Sequence, residues 1–123
     1  MIRGLGIDIV EVDRIRRAVA RWGEAFLCRI FTPAELARGG ASPAAPERLA
    51  GRFAAKEAVM KALGIGRPGI GWREIEITVD PMGKPGVRLT GRAAAAAERR
   101  GVRGWRVAIS HTRVLAIAEA LAE

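Results

Sequence analysis

Residues 51–64 read GRFAAKEAVMKALG, and this stretch predicts a long packed helix. It is rich in strong helix formers, and Gly64 stands where a helix commonly ends. From position 46 onward, apolar residues recur at helical spacing, namely Leu49, Phe53, Met60 and Leu63. Glu57 falls on the margin of this apolar stripe, among basic residues. We therefore expect a helix over Pro46–Leu63 that holds one carboxylate at the edge of a cleft.

A second acid lies upstream, in the apolar segment Gly4–Val10. Residues 2–10 read as a strand, and side chains alternate along a strand, so Gly4, Gly6 and Asp8 share one face. Two acids on separate elements with cations nearby suit a divalent cation shared with a polyphosphate, and we expect Mg²⁺. A purely structural alternative stays open, in which Asp8 caps the following helix and Glu57 pairs with Lys61.

The next segment predicts an amphipathic helix from Val12 to about Ile30. Arg14, Arg17 and Arg21 line its polar side at spacings of three and four, and we call these three residues the basic ridge. The ridge is either a partner-binding surface or an ordinary solvated helix face.

The rest of the chain alternates helix and strand signals. Thr32 and Glu35 have the spacing of a capping box. The remaining predictions are a loop at 39–46, a glycine-rich loop at 64–71, strands at 74–79 and 87–89, a helix at 91–100, and strands at 105–111 and 115–119 joined by a hairpin. Antiparallel hairpins mixed with helices indicate an α+β fold.

Composition limits the function classes. The 123 residues fit one domain, 1–123, and 21 basic against 13 acidic residues give a net charge of +8. That charge favours polyanions, phosphorylated ligands or an acidic protein as partner. One Cys and one His argue against a disulfide and a zinc site. No segment has the length of a membrane span, so we expect a soluble, unprocessed, cytoplasmic protein.

Candidate phosphate ligands fall in two places. Arg52, Lys56 and Lys61 lie on the predicted long helix, and Ser110, His111 and Thr112 fall at the tip of the last hairpin. Nucleic acid would be bound by the same residue types, and a lone His is more often structural. The glycine-rich loop matches neither a P-loop nor a dinucleotide-binding fingerprint, which argues against kinases and dehydrogenases.

Two motifs in this order, Gly6–Glu11 (GIDIVE) and Arg52–Ala58 (RFAAKEA) with Lys61–Gly64 (KALG), resemble those of the holo-[acyl-carrier-protein] synthases, the small bacterial 4′-phosphopantetheinyl transferases. Weaker matches lie at 29–36, 83–85 and 109–112. The resemblance runs nearly end to end. It implies an antiparallel sheet packed against a long helix, a homotrimer, and transfer of phosphopantetheine from coenzyme A to a serine of apo-acyl carrier protein for fatty acid biosynthesis.

The resemblance also implies residue roles. Asp8 and Glu57 would hold Mg²⁺, and Lys61 would offset the charge of the pyrophosphate. Coenzyme A would further contact a set of residues on several elements, namely Arg52, Gly64, Lys84, Pro85, Ser110, His111 and Thr112. The basic ridge would meet the acidic carrier protein.

One departure from the family pattern limits the resemblance, and two alternatives to the implied function stay open. The family often has Gly-Thr-Gly-Ile-Gly after the long helix, whereas Gly64–Gly69 here differs and is one residue shorter, so a fold without turnover is one alternative. A basic module that binds RNA or an acidic protein is another. Few aromatic residues and the interrupting acids Asp8 and Glu57 argue against RNA, and we expect no nucleic-acid partner.

Overall fold

The computed structural model describes residues 1–38, 45–66 and 69–123, and its largest sheet has three antiparallel strands. The strands are β1 (Gly4–Glu11), β4 (Trp105–His111) and β5 (Leu115–Ala122), in the order β1, β5, β4. Asp8 lies opposite Ala118, and His111 lies opposite Ala116. The last hairpin therefore places the end of β4 beside the strand that pairs with β1.

The long helix α4 (Pro46–Leu63) packs across one face of this sheet, and it is buried on more than the single stripe that the spacing predicted. The face that meets it is lined with small residues. A Cβ at Gly4 or Gly6 would lie far inside van der Waals contact of the α4 carbonyl oxygens of Ala62 and Ala58. Close approach of the helix to β1 therefore requires both glycines.

The predicted helix from Val12 to Ile30 is two helices, α1 (Val12–Trp22) and α2 (Glu24–Ile30). The chain breaks at Gly23, whose φ of 56° is not helical. The capping box is confirmed, and it opens α3 (Pro33–Ala37): the Glu35 backbone N–H donates to the Thr32 hydroxyl, and the Glu35 carboxylate accepts from the Thr32 backbone N–H.

A separate two-stranded sheet, β2 (Ile75–Val79) and β3 (Pro85–Leu89), follows a 3₁₀ turn at Trp72–Glu74 and precedes α5 (Gly91–Arg99). The predicted α+β class is confirmed. Parts of the two predicted loops, 39–44 and 67–68, lie outside the described residues. Among the described helices, none has the length and apolar character needed to cross a bilayer.

Candidate functional site

Asp8 sits on β1 with its side chain directed at α4. The Lys61 ammonium donates to Asp8 Oδ1 at 3.1 Å and to the Ile7 carbonyl oxygen at 2.9 Å. Only 17% of the Asp8 side chain is exposed, against 54% of Lys61. The N-cap of α1 is Glu11, whose side chain makes no capping hydrogen bond, so the capping alternative for Asp8 is wrong.

Glu57 precedes Lys61 by one helical turn and is half-buried. Residues four apart lie on the same side of a helix, so Glu57 lies on the side of α4 from which Lys61 reaches Asp8. We call Asp8, Glu57 and Lys61 the carboxylate site. Its two acids, Asp8 on β1 and Glu57 on α4, come from different elements, and the packing of β1 on α4 fixes their relative positions.

The donor set of the carboxylate site fits one kind of metal. Within residues 1–38, 45–66 and 69–123, no group of three or more His, Cys, Asp or Glu side chains could hold an ion. Two carboxylates are too few for a dedicated cage, but Mg²⁺ is commonly bound by one or two carboxylates together with waters and substrate phosphates. The residues therefore fit a metal that arrives with a phosphorylated ligand.

A second group of candidate residues lines a cleft of about 200 Å³ between α4, the β2–β3 hairpin and β4. We call it the basic cleft. Three predicted residues, Arg52, Pro85 and His111, lie in it, with Arg48 one helical turn before Arg52. Sequence reasoning missed Arg48, although its spacing of four from Arg52 was visible.

Arg52 is anchored within the basic cleft. Its guanidinium donates to the Glu35 carbonyl oxygen at 2.8 Å. Burial lowers the pKa of Arg52, and the nearby Glu35 carboxylate works in the opposite direction. Arginine keeps its charge despite such a shift, so a fixed positive charge faces the cleft.

The remaining predicted ligands are spread more widely. Lys84 is exposed and stands between Gly83 and Pro85, which both line the basic cleft. Ser110 instead lines a shallow pocket with Ile7 and Ile117, on the sheet face opposite to His111.

Thr112 and Gly64 have structural roles. The Thr112 hydroxyl accepts from the backbone N–H groups of Val114 and Leu115, which builds the turn between β4 and β5. Gly64 is the left-handed C-cap of α4, with a φ of 68°. The structure therefore does not gather the hairpin-tip donors into one cluster.

Lys56 is not a phosphate ligand, contrary to our expectation. Its ammonium is fully buried and contacts Glu35 Oε1 at 2.7 Å. It also donates to the carbonyl oxygens of Trp72 and Ile75. The other Glu35 oxygen accepts from the Ile77 backbone N–H at 3.0 Å. This buried ion pair ties α3, α4 and β2 together.

The basic ridge lies on the outer side of α1, where all three arginines are exposed. Arg17 pairs with Asp13 at 3.3 Å, and the Arg14 guanidinium lies 5.8 Å from the Phe53 ring centroid. Arg21 lies 4.9 Å from the ring centroid of Trp22, which is 58% exposed. The ridge thus combines positive charge with an exposed aromatic side chain.

Comparison with known proteins places these features in a family. Residues 4–117 match the family model of the 4′-phosphopantetheinyl transferase superfamily. The chain is 50% identical to the holo-[acyl-carrier-protein] synthase of Solidesulfovibrio magneticus, over 100% of this chain and 99% of the relative. It is 52% identical to that of Desulforudis audaxviator, over 99% of this chain and 93% of the relative.

Solved structures agree with the sequence comparison. The holo-[acyl-carrier-protein] synthase of Neisseria meningitidis superimposes with a TM-score of 0.89 at 37% identity, covering 100% of this chain and 99% of that one. The Helicobacter pylori synthase in complex with coenzyme A has a TM-score of 0.85 at 30% identity, with coverages of 97% and 99%.

Proposed function

Since this chain belongs to the 4′-phosphopantetheinyl transferase superfamily, we propose that it is a holo-[acyl-carrier-protein] synthase. It transfers the 4′-phosphopantetheine arm of coenzyme A to a serine of apo-acyl carrier protein and releases adenosine 3′,5′-bisphosphate. The observation that carries the proposal is the carboxylate site, where Lys61 contacts Asp8 at 3.1 Å one turn from Glu57. The carboxylate site occurs in a chain that is similar over its full length to holo-[acyl-carrier-protein] synthases.

The reaction is a displacement at phosphorus. The serine oxygen forms a bond to the β-phosphorus of coenzyme A, and the bond from that phosphorus to the bridging oxygen breaks. When bound, Mg²⁺ would be held by Asp8 and Glu57 and would stabilise the negative charge that builds on the leaving phosphate. Lys61 supplies a further positive charge on the same side of α4.

The serine proton needs an acceptor. Glu57 is a half-buried carboxylate at the carboxylate site, and we assign it this role, either directly or through a water molecule. Lys61 binds the pyrophosphate, so that the reacting phosphorus is held beside the acids. Positioning of this kind lowers the barrier by fixing the reacting atoms in contact before reaction.

The basic cleft is our proposed site for the adenosine end of coenzyme A. Arg48, Arg52 and His111 present cations and a donor suited to the 3′-phosphate. Lys84 and Pro85 lie at the rim, where the adenine would sit. A cleft of about 200 Å³ is small for such a ligand, since ligand sites are commonly about 300–1,000 Å³.

The geometry of α4 supports a site shared between subunits. Arg52 and Lys61 are nine residues apart, which is about two and a half helical turns, so they leave the helix on opposite faces. Only a ribose separates the 3′-phosphate from the pyrophosphate in coenzyme A. We therefore propose that one subunit contributes Lys61 and a neighbouring subunit contributes Arg52 and His111.

An exposed apolar surface is available for that assembly. The outer face of the three-stranded sheet carries Leu5, Ile7 and Ile9, which are 61%, 54% and 59% exposed. A contiguous apolar surface on a water-exposed sheet commonly marks a protein interface. A second copy of this chain is the occupant that would also complete the basic cleft, and we propose a homotrimer.

The basic ridge is our proposed docking surface for the carrier protein. Its cations face an acidic partner, and exposed Trp22 adds apolar area beside Arg21. Complementary charge accelerates encounter and sets orientation more than it tightens binding. We place the reaction in the cytoplasm, where the single cysteine stays reduced.

The first test is the mass of an apo-acyl carrier protein after incubation with this protein, coenzyme A and Mg²⁺. A gain of one phosphopantetheine group that a chelator abolishes is the expected result. A gain that survives the chelator would overturn the metal assignment. No gain with several carrier proteins, from a protein shown to be folded, would overturn the proposed activity.

A further inference from the structure

The Lys61 ammonium contacts Asp8, one of the two acids that we propose to hold the metal. It lies 3.1 Å from Asp8 Oδ1 and 2.9 Å from the Ile7 carbonyl oxygen, so it is held at two points on β1. A cation at that distance takes one acceptor position of the carboxylate and offsets the negative charge that would attract a divalent ion. It would also repel such an ion, because both are positive. The Lys61 contact therefore weakens metal binding at Asp8 for as long as it is in place.

Lys61 has the freedom to leave. Its side chain is 54% exposed, whereas Asp8 is only 17% exposed, so the lysine can swing outward while the acid stays in place. An exposed pair of this kind is a weak interaction. A pyrophosphate beside the carboxylate site would offer the ammonium a stronger, doubly charged acceptor.

We propose that Lys61 is an internal counter-cation that makes divalent-cation binding conditional on the pyrophosphate of coenzyme A. Without the pyrophosphate, Lys61 neutralises Asp8 and weakens binding of the metal. When the pyrophosphate binds, the Lys61 ammonium moves from Asp8 to a phosphate oxygen. Asp8 is then available to bind the metal. This inference rests on the proposed function, because it takes coenzyme A as the ligand.

Linkage makes the proposal quantitative. If coenzyme A raises the affinity for the metal by some factor, the metal raises the affinity for coenzyme A by the same factor. In the complex with coenzyme A the ammonium has left Asp8, so the contribution of Lys61 to this factor comes from its competition for Asp8 in the free protein. Removing the ammonium should therefore strengthen metal binding to the free protein and shrink the coupling by the same amount.

The test uses Mn²⁺ as a paramagnetic probe, with free Mn²⁺ followed by electron paramagnetic resonance in the presence and absence of coenzyme A. Lys61→Met should bind Mn²⁺ about five-fold more tightly than the wild type when coenzyme A is absent, as expected for an exposed ion pair. The coupling between Mn²⁺ and coenzyme A should fall by a similar factor. Lys61→Arg keeps the charge, so its Mn²⁺ affinity and its coupling to coenzyme A should resemble those of the wild type.

Arg99→Met is the matched control for loss of one positive charge, because Arg99 lies in the last turn of α5, a helix that packs more on the 3₁₀ turn at Trp72–Glu74 than on β1 or α4. Its Mn²⁺ affinity should equal that of the wild type. Equal Mn²⁺ affinity for Lys61→Met and the wild type, with unchanged coupling, would overturn the proposal. So would a wild type whose Mn²⁺ affinity does not respond to coenzyme A. Lys61→Gln carries the same expectation as Lys61→Met if the latter does not fold.

The two proposals fail in different ways. Phosphopantetheine transfer is read from the mass of the carrier protein, whereas the counter-cation role is read from Mn²⁺ binding without any carrier protein. Wild-type transfer together with an unaltered Mn²⁺ titration of Lys61→Met would remove the counter-cation and leave the activity standing. Absence of transfer would remove the activity itself.

Discussion

Lys56 and Lys61 lie five residues apart on the same helix, on either side of Glu57, yet they have opposite environments. Lys56 is fully buried and held by Glu35 and two carbonyl oxygens, whereas Lys61 is 54% exposed and contacts Asp8 at the surface. One lysine joins elements of the fold, and the other is free to move toward a ligand. A motif with both lysines thus carries a structural and a functional charge.

The largest expected effect concerns the buried member of this comparison. Lys56→Met should lower the free energy of unfolding by about 3–5 kcal/mol, because it leaves the buried Glu35 carboxylate without its cation. Urea denaturation measures this loss. Lys61→Met is the matched control, since it removes the exposed lysine of the same helix and should lower stability by about 1 kcal/mol or less. Similar losses for both variants would break the comparison.

The exposed member should show the reverse pattern. Asp8→Ala removes the acid that Lys61 contacts, and we expect kcat/KM for transfer to fall on the order of 10²–10³-fold, as for loss of a group that stabilises transition-state charge. The urea midpoint should stay close to that of the wild type. Glu57→Ala should likewise lose transfer and stay folded. The control is Glu98→Ala, which removes an exposed acid on α5 and should leave kcat/KM unchanged. Wild-type turnover by Asp8→Ala would refute the role of the carboxylate site.

Exposed cations on α1 extend the comparison to the partner protein. The double variant Arg14→Glu and Arg17→Glu should raise KM for carrier protein about ten-fold and leave KM for coenzyme A unchanged, because charge at a rim acts on encounter with the partner. Steady-state kinetics with each substrate varied in turn will measure both values. The double variant Arg99→Glu and Arg103→Glu, at two other exposed arginines, controls for the same change in net charge. An equal rise of both KM values would count against the basic ridge.

The sequence predicted the parts of the fold that depend on local chemistry. The capping box at Thr32 and Glu35 and the bounds of α4 needed only residue types and spacing. The break between α1 and α2 was missed because apolar spacing continues across Gly23, where the positive φ is a backbone property. Burial of Lys56 was also missed, since its partner Glu35 lies 21 residues away and α3 packs against it only in the folded chain.

The candidate site likewise has features that the sequence predicted and features that depend on how the chain packs. The shared face of Gly4, Gly6 and Asp8 follows from strand alternation, and the packing of both glycines on α4 bears it out. The separation of Ser110 from His111 also follows from strand alternation, but a cluster at a hairpin tip had been expected. The contact of Lys61 with Asp8 joins residues 53 positions apart, which only the packing of β1 on α4 reveals.

The smallest expected effect is a dependence of stability on pH that only the buried lysine should produce. Burial lowers the pKa of Lys56 below its ordinary value of 10.5, and the raising effect of Glu35 does not offset this. Between the lowered native pKa and 10.5, the unfolded chain binds more protons than the native chain, so this group adds stability as pH rises. The wild type should therefore gain stability relative to Lys56→Met as the pH of a urea titration approaches 10.5. Lys61→Met, compared with the wild type in the same way, provides the baseline for an exposed lysine. A difference between the wild type and Lys56→Met that stays constant or shrinks with pH would mean that burial does not dominate the environment of Lys56.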